Sequence, residues 1–325
     1  MNYVDFTPNY DTITLAELMN KKFPDLEWAV EGLVPLDAVT IVSGYAGSCK
    51  TWILHNMAIA IASGQNFLGK FETSLMPVMV IDEENPERVI QRRMGLMAND
   101  FNLPIHFKSL KGFNIQKDGI SNLMAECRKW GVKVIIIDSL IRTHQANEND
   151  AVEMSQVLKS YRMLSANGFT VIICHHNRKK GSDQSASNQD MRGSSDLLGA
   201  IDSHLMVNRE EKIVTITQSK NRFEEEIKAF SIELVKSDDK VELRYMGEIT
   251  KLTWDDYRKL ILEVLSENDQ IKRKEILELL HLMDIKIGDS TLKKILKSLE
   301  SEGAIKCEAG LKNAKLYSIA DPSGG

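Results

Sequence analysis

The sequence predicts an α/β fold with a mainly parallel sheet, followed by a smaller second domain. Predominantly apolar runs of strand length at residues 38–42, 78–81, 132–137 and 169–174 alternate with amphipathic helical patterns. Strands buried on both faces are typical of parallel sheets covered by helices, and their alternation with helices is typical of α/β proteins. Shorter strand patterns between residues 203 and 245 follow one another without a helix and predict an antiparallel extension.

The composition excludes several classes of protein. Of 325 residues, 43% are hydrophobic and 27% charged, which is usual for a globular chain, and the net charge of -5 gives no general attraction to nucleic acid. The four cysteines are scattered without metal-ligand spacing, which suits a reducing compartment. The first residues lack the pattern of a signal peptide, and polar residues interrupt the longest apolar stretches. We therefore expect a cytoplasmic protein without membrane contact.

The chain divides into four predicted parts. Residues 1–37 form an N-terminal segment that we expect to pack on the first core strand. The segment contains a short helical pattern (Leu15, Leu18, Met19) and then Trp28 and Leu33. Residues 38–247 form the α/β core, with a polar stretch at 177–190 that is typical of a mobile loop. Residues 251–320 show three short helical patterns and then a strand pair, the layout of a winged helix. Residues 321–325 are expected to be a disordered tail.

The segment 41–51, IVSGYAGSCKT, leads from a strand through a small turn into a helix. This order is that of a phosphate-binding P-loop, in which backbone N–H groups and a helix N-terminus surround an anion. Lys50 would reach the β- and γ-phosphates of ATP, and the Thr51 hydroxyl would bind Mg²⁺. An ordinary strand–turn–helix connection is the alternative. The nucleotide-binding candidates are Gly44, Tyr45, Ala46, Gly47, Ser48, Cys49, Lys50, Thr51 and Trp52.

One position of this loop departs from the pattern GxxxxGK[ST]. Cys49 stands where the pattern has its second glycine. Because cysteine has a Cβ, we expect a slightly reshaped loop in which Gly47 supplies the missing conformational freedom.

Acidic residues end two of the predicted core strands. Asp138 follows an apolar strand, so its carboxylate should lie at the sheet edge where α/β proteins bind ligands, and it could hold Mg²⁺ through water. The alternative role for Asp138 is to cap a turn with Ser139. Residues 82–84 end another strand, and one of these acids could polarise an attacking water. Alternatively they favour the N-terminus of a helix beginning near Pro86, which is the role we prefer for Glu83.

Six motifs, in order, resemble those of the RecA-like hexameric ATPases, and most closely the RepA-type plasmid replicative helicases. The resemblance covers residues 28–235. Its motifs are residues 44–51, residues 80–93 (VIDEENPERVIQRR), residues 134–140 (VIIIDSL), His175-His176, residues 192–195 (RGSS) and residues 220–222 (KNR).

The resemblance implies a role for each matching residue. Glu84 corresponds to the catalytic glutamate, Asp138 to the Walker B aspartate, and His175 or His176 to the residue that senses the γ-phosphate. Lys220 and Arg222 correspond to a pair that completes the nucleotide site of a neighbouring subunit as an arginine finger. From the residues alone, the histidine pair could equally be structural or ligate a metal, and Lys220 and Arg222 could be a solvated strand end.

DNA contacts are expected in three places. The resemblance implies DNA-binding loops at Arg178, Lys179 and Lys180 and in residues 142–150, beginning with Arg142; solvated loops are the alternative. Residues 286–315 contain seven basic and four acidic side chains, which favours the third C-terminal helix, with Lys293, Lys294 and Lys297, as a DNA-facing surface. A winged helix can instead bind a protein partner.

The resemblance therefore implies a homo-oligomeric ring, specifically a hexamer, that depends on ATP and Mg²⁺. It also implies that this ring acts on single-stranded or forked DNA. Its implied role is the replicative DNA helicase of a plasmid, phage or other mobile element. Two alternatives remain. One is an ATP-dependent DNA-binding switch, such as a loader or recombination mediator, that does not unwind DNA. The other is a DNA-binding regulator whose altered P-loop binds nucleotide without turnover.

Overall fold

The computed structural model describes residues 12–22, 25–116, 119–148, 150–177, 195–249, 253–268, 270–283, 285, 287–310 and 314–320. The chain divides into two compact units, Met1–Ile249 and Thr250–Gly325, which are described separately. Among the described helices, none combines the length and the apolar character needed to cross a membrane.

The first unit is built around a nine-stranded sheet in the order β11-β10-β9-β8-β3-β7-β6-β4-β5, and a two-stranded sheet, β1-β2, precedes it in the chain. The strands are β1 Trp28–Val30, β2 Val34–Pro35, β3 Val39–Gly44, β4 Val78–Asp82, β5 Ile105–Ser109, β6 Val134–Asp138, β7 Thr170–His176, β8 Ser203–Glu210, β9 Ile213–Asn221, β10 Phe230–Lys236 and β11 Val241–Glu248. In the part of this order from β8 through β3, β7, β6 and β4 to β5, adjacent strands are parallel. Neighbours from β8 to β11 are antiparallel, which confirms the predicted extension.

Helices cover the two faces of this sheet. They are α2 Lys50–Ser63, α3 Glu87–Met97, α4 Ile120–Lys129, α5 Ala151–Ala166 and α6 Ser195–Ala200; a further helix, α1 Leu15–Asn20, lies in the N-terminal segment. Alternate residues of a strand face opposite sides. Val134 and Ile136 accordingly lie in the core that contains α2, whereas Ile135 and Ile137 lie in the core that contains α4 and α5. The double-sided apolar strands seen in the sequence are thus explained by burial on both faces.

The N-terminal segment is only partly packed. Its helix α1 forms as predicted, with Thr14 and Glu17 making a reciprocal capping box. The segment was expected to pack on the core, but α1 does not, because none of its residues is buried and Leu15 and Met19 are each 74% exposed. Trp28 and the strands that follow it are buried.

The second unit has its own core. Its helices are α7 Trp254–Glu267, α8 Arg273–Leu282 and α9 Asp289–Ser301, and its strands are β12 Ile271–Lys272, β13 Ile305–Ala309 and β14 Lys315–Ile319. The strands pair in the order β12-β14-β13, all antiparallel. The helices bury one apolar face each; α9 contributes Leu292, Ile295, Leu296 and Leu299. Residues 321–325, predicted to be a tail, lie outside the described part of the chain.

Candidate nucleotide site

The loop between β3 and α2 is closed by two left-handed residues. Gly47 has φ 80° and Cys49 has φ 73°, and Lys50 then begins the helix. Gly47 was expected to supply the freedom missing at Cys49. Gly47 does take a left-handed conformation, but the cysteine itself also takes the conformation for which the motif uses glycine. An L-residue pays roughly 1–2 kcal/mol for that conformation. The structure therefore places the local strain at Cys49 instead of reshaping the loop around Gly47.

Gly44 is required by close packing at the start of the loop. A Cβ added to Gly44 would lie 2.3 Å from the carbonyl oxygen of Val207 and 2.7 Å from Ser48 Oγ. The nearer atom belongs to the backbone of β8, so it cannot move aside without disturbing the sheet. The first glycine of the motif therefore lets the loop lie directly against the neighbouring strand.

Lys50 is buried, with 4% of its surface exposed, and its ammonium is held inside the loop. Its Nζ donates to the carbonyl oxygens of Gly44 and Tyr45, both at 2.8 Å, and more weakly to Ser48 Oγ at 3.4 Å. Burial lowers the pKa of this ammonium, and the nearby Cys174, Asp138 and Glu84 act in the opposite direction. The cation thus lies within the turn that an anion would occupy.

Thr51, in the first turn of α2, and Asp138, at the end of β6, are hydrogen-bonded to each other. The Thr51 hydroxyl donates to Asp138 Oδ2 at 2.7 Å, joining residues that are 87 positions apart in the chain. The second oxygen, Asp138 Oδ1, is buried and accepts no hydrogen bond from the described residues. Because buried carboxylate oxygens are normally paired, this unpaired oxygen is consistent with a site for a cation or for a water bound to one. The two residues predicted to support Mg²⁺ are therefore brought together.

The three acids at the end of β4 have different environments. Asp82 is fully buried and accepts hydrogen bonds from the backbone N–H groups of Glu84 and Asn85 and from the Asn85 amide. Burial raises the pKa of Asp82. These contacts fix the turn that leads to α3, which has Pro86 as its N-cap rather than its first residue. Asp82 is thus occupied in shaping this turn.

Glu83 has a role that the sequence did not indicate. Its carboxylate accepts hydrogen bonds from the backbone N–H groups of Lys111, Gly112 and Phe113, at 3.0–3.1 Å. The preferred assignment of Glu83 to the N-terminus of the next helix is therefore wrong. Glu83 instead holds the loop that follows β5, an edge strand absent from the sequence prediction.

Glu84 is the one of these three acids whose carboxylate is not bonded to backbone N–H groups of the described residues. Its side chain is 41% exposed, and its Oε2 lies 3.3 Å from His176 Nε2. His175 and His176 are successive residues of β7, so their side chains point to opposite faces of the sheet. Of the two predicted sensor candidates, His176 is therefore the one beside Glu84.

Cys174 also belongs to this edge, and sequence reasoning missed it. Ile137 pairs with Ile173, so Asp138 and Cys174 are the next residues of two neighbouring strands. Burial, and secondly the Asp138 carboxylate, raise the pKa of the Cys174 thiol well above its usual range. The spacing Cys174-x-His176, on a strand next to one that ends in Asp138, was the signal available in the sequence.

Lys220 and Arg222 lie elsewhere, in a group that we call the Asp202 cluster (Arg162, Asp202, Lys220 and Arg222). Arg222 Nε is 3.0 Å and Arg162 Nη2 3.2 Å from Asp202 Oδ1, while Asp202 Oδ2 accepts from the Val39 N–H at 3.0 Å. Arg222 also donates to the carbonyl oxygens of Gly199 and Ile201, and Lys220 donates to that of Leu198. Within this chain, both cations are bound near the end of α6, a helix that the sequence did not predict.

A buried histidine links β3 to β9. His204 is 2% exposed; its Nε2 contacts Ser43 Oγ at 2.8 Å and its Nδ1 contacts Ser219 Oγ. Burial lowers the pKa of His204 to about 4, with smaller contributions from His175 and Lys220. The neutral ring therefore connects the residue before Gly44 with the residue before Lys220.

Trp52 lies at one side of the loop. The Arg93 guanidinium carbon lies 5.6 Å from the centroid of the Trp52 ring, and the Lys236 ammonium nitrogen lies 5.2 Å from the ring centroid. The same three residues line a cleft of about 680 Å³, together with Arg88 and Arg92. Aromatic and basic groups are therefore placed together directly after the Lys50-Thr51 pair.

The DNA-binding candidates are only partly described. Arg142 is exposed in a 3-10 turn, Leu140–Arg142, that follows β6. Lys293, Lys294 and Lys297 are exposed on α9, opposite its buried face. Arg178, Lys179 and Lys180, together with residues 192–194 of the RGSS motif, lie outside the described residues.

A comparison with protein families agrees with this geometry. The family model described as AAA domain matches residues 7–182, which is more than half of the chain. The matched span contains the loop, Glu84, Asp138 and the β7 histidines, and it ends before Asp202, Lys220 and Arg222. On this match, and with a mostly parallel sheet that carries a P-loop, the chain belongs to the AAA domain family of P-loop ATPases.

Proposed function

We propose that the protein is an ATP-hydrolysing, ring-forming motor that acts on DNA, and that it is a replicative helicase of a plasmid, phage or other mobile element. The observation that carries the ATPase part is the meeting of Lys50, Thr51, Asp138 and Glu84 at one edge of the sheet. The ring and the DNA role rest on further observations, taken in turn below.

The residues at this edge fit ATP and Mg²⁺. Lys50 already lies inside the loop, so it can exchange its carbonyl partners for phosphate oxygens. Thr51 Oγ1 and the unpaired Asp138 Oδ1 are oxygen donors of the kind that Mg²⁺ prefers. Bound Mg²⁺ would neutralise charge on the phosphate oxygens. The Trp52 cleft, with Arg93, provides an aromatic and cationic surface suited to the base.

Glu84 is the proposed general base. Of the three acids that end β4, it alone has a carboxylate not committed to backbone N–H groups among the described residues. It can therefore orient and deprotonate an attacking water. His176, 3.3 Å away, can hydrogen-bond to the same carboxylate and move with it, which suits a residue that reports the state of the nucleotide.

The proposal that the chains assemble into a ring is supported by the position of Arg222. The backbone N–H of Arg222 donates to the backbone carbonyl of Asp202, and the backbone N–H of Asp202 donates to the backbone carbonyl of Val39. Arg222 therefore lies beside the start of β3. The phosphate loop follows Gly44 at the other end of that strand, about 16 Å away at 3.2–3.4 Å per residue. Arg222 therefore cannot complete the site of its own chain, whereas a neighbouring chain's site could receive it.

DNA contact by the second unit is part of the same proposal. Three helices and a small antiparallel sheet match the layout of a winged helix, and α9 exposes Lys293, Lys294 and Lys297 on one face. Lysines on such a face would bind phosphates without reading sequence. Arg142, exposed after β6, would add a contact from the first unit.

The conformation of Cys49 favours turnover over the alternative of a non-hydrolysing regulator. The cysteine adopts the left-handed backbone that the motif needs, and every other catalytic candidate at this edge is present. The alternative of a DNA-binding switch, which hydrolyses ATP without unwinding, is separated from a helicase by experiment.

The first experiment measures ATP hydrolysis by the full chain with and without single-stranded DNA. We expect DNA-stimulated hydrolysis that Lys50→Ala abolishes, because the substitution removes the cation from the phosphate loop. Hydrolysis that survives Lys50→Ala would contradict the assigned site. No hydrolysis by the wild-type chain under any condition would favour the regulator.

The second experiment separates helicase from switch. Strand displacement on a forked duplex, with ATP and Mg²⁺, is expected for the wild-type chain and not for Lys50→Ala. Hydrolysis without displacement would reject the helicase and retain the switch. Particle mass measured with and without ATP tests the ring, since a monomer in every condition contradicts a trans-acting Arg222.

The third experiment tests α9. Replacing Lys293, Lys294 and Lys297 by Glu should weaken DNA binding and reduce the slope of log affinity against log salt by about one for each phosphate that the protein no longer binds. The matched control replaces the exposed Lys259, Lys272 and Lys274 of the same unit by Glu, with an equal change in charge. Equal weakening of DNA binding in the two triple variants would indicate that net charge, not the α9 face, governs binding.

A further inference from the structure

We propose that Asp138, Cys174 and His176 form a binding site for a soft divalent cation of the Zn²⁺ type, and that its occupation inhibits the ATPase. Cation binding is independent of the proposed function, whereas the inhibition rests on it. This site differs from the proposed Mg²⁺ position in its donors, although it shares Asp138.

The geometry brings three different donors together. One ligand atom each from Asp138, Cys174 and His176 lies within 4.8 Å of the others. Cys174 and His176 are two positions apart on β7 and so face the same side, and Asp138 is the neighbour of Cys174 on β6. Zinc binds such atoms at about 2.0–2.3 Å, so small side-chain rotations would bring all three onto one ion.

The cluster is enclosed and incompletely paired. Asp138 is 2% exposed and Cys174 is fully buried. Asp138 Oδ1 and His176 Nδ1 are buried atoms without a hydrogen-bond partner among the described residues. Glu84 lies 3.3 Å from His176 Nε2, where it can orient the imidazole or supply a fourth donor. Unpaired polar atoms that converge from two strands are the observation that points to a ligand.

The donor set selects the class of cation. Thiolate and imidazole donors favour zinc and related metals, whereas Mg²⁺ prefers oxygen ligands and keeps several waters. Binding replaces the thiol proton of Cys174, which passes to the buffer, and no electron is transferred. Because the cation would use the carboxylate of Asp138, it would compete with Mg²⁺ at that residue.

The test uses Co²⁺ as a spectroscopic probe for the full chain without nucleotide or Mg²⁺. We expect one equivalent of Co²⁺ to produce a thiolate-to-cobalt charge-transfer band that Zn²⁺ then abolishes. Cys174→Ser should remove the band and weaken binding at least about 100-fold, since losing even a supporting partner of a ligand costs about 10–100-fold. Cys307→Ser, in the second unit, is the matched control and should keep the band.

A second variant guards against misfolding of Cys174→Ser. His176→Gln changes a half-buried side chain at the end of β7 and should retain a thiolate band but weaken Co²⁺ binding by a similar factor. Absence of the band in the wild-type chain, its survival in Cys174→Ser, or unchanged affinity in His176→Gln would overturn the site.

The inhibitory part has its own measurement. Zn²⁺ should inhibit ATP hydrolysis by the wild-type chain, excess Mg²⁺ should relieve the inhibition, and Cys174→Ser should resist it. Equal inhibition of both chains would overturn the inhibitory role. Since the cobalt titration needs no ATP, a chain that lacks ATPase activity would contradict the proposed function and leave the cation site standing.

Discussion

The buried aspartates at the two ends of the large sheet, Asp138 and Asp202, differ in how far their carboxylates are paired. At the end that carries the phosphate loop, Asp138 Oδ1, Ser139 Oγ, His176 Nδ1 and Asn177 Oδ1 are buried without hydrogen-bond partners among the described residues. At the other end, both carboxylate oxygens of Asp202 are paired, one with a backbone N–H and the other with two arginines. Among the described residues there, Thr40 Oγ1 and Asn221 Nδ2 are nevertheless buried without partners.

This contrast distinguishes a site that is ready for a ligand from one that must rearrange. A buried polar group without a partner costs about 1–3 kcal/mol, so the loop end can recover free energy when a ligand supplies the missing bonds. Arg222 and Lys220 already have partners in their own chain, and they must exchange these partners to act on a neighbour. Oligomerisation would thus replace hydrogen bonds and ion pairs that the single chain makes.

The largest expected effect concerns Arg222. Arg222→Ala should lower DNA-stimulated ATP hydrolysis by about 10³-fold or more, because an arginine finger stabilises charge on the transferring phosphoryl group. Mixing Arg222→Ala chains with Lys50→Ala chains should restore part of the activity, since one interface then combines an intact loop with an intact arginine. ATPase rates of the separate and mixed variants measure this.

The control for this prediction is Arg244→Ala, which removes an exposed arginine whose partner is Glu242 of the same strand, β11. Its rate should match that of the wild-type chain. If mixing restores no activity, Arg222 acts within its own chain or only structurally, and the contrast between the two ends loses its functional meaning.

The next effect concerns Glu84. Glu84→Gln keeps the size of the side chain but removes the base, so kcat should fall by about 10²–10⁴-fold while nucleotide binding persists. Fluorescent-nucleotide binding and ATPase rates separate the two quantities. Glu87→Gln, at the exposed start of α3, is the control and should change neither; a loss of binding in Glu84→Gln alone would assign Glu84 to the ligand site instead.

Acid should destabilise the fold through His55 and His204. Both are buried, and burial lowers each pKa to about 4, with Arg93 adding to the effect at His55. Their unfolded forms titrate near 6.5, so as the pH falls from about 6.5 to about 4 the unfolded chain takes up protons first and stability is lost. The loss should be about 2 kcal/mol for each histidine at pH 5.

Urea unfolding at pH 7 and pH 5 checks this prediction. His55→Leu should remove about half of the acid sensitivity, because both ring nitrogens of His55 are buried without partners in the described part of the chain and the side chain packs against Phe107. The control is His106→Leu, at a half-buried position on β5. Equal acid sensitivity in the wild-type chain and His55→Leu would show that His55 does not determine it.

The smallest effect is expected at Cys49. Cys49→Gly should change the free energy of unfolding by no more than about 1–2 kcal/mol, because relief of the left-handed strain is offset by a more flexible unfolded chain. ATP hydrolysis should remain or rise. Cys49→Ala keeps the Cβ and should bring no gain. A large loss of activity in Cys49→Gly alone would mean that the cysteine itself contributes to the loop.

Some elements could not be predicted because their local patterns are weak. Strand β5 (Ile-His-Phe-Lys-Ser) lies at the edge of the sheet, where β4 is its one partner among the described strands. Ser109 is the one buried residue of β5, so the strand lacks the apolar run of the central strands. Helix α6 has six residues, too few for a helical period to stand out. Helix α1 shows the reverse case, since its pattern is clear and its helix forms, but none of its apolar side chains is buried among the described residues.

The sequence by itself determined the α/β class, the phosphate loop and the strands that end in Asp82 and Asp138. These features are set by neighbouring residues, through the strand and helix periods and the spacing of one motif. The tertiary structure alone decided that Thr51 binds Asp138, that His176 rather than His175 lies beside Glu84, and that Cys174 joins this group. It also decided that Glu83 holds a distant loop and that Arg222 is bound to Asp202. Strand order and register bring these residues together across large separations in the chain, and no local pattern encodes either one.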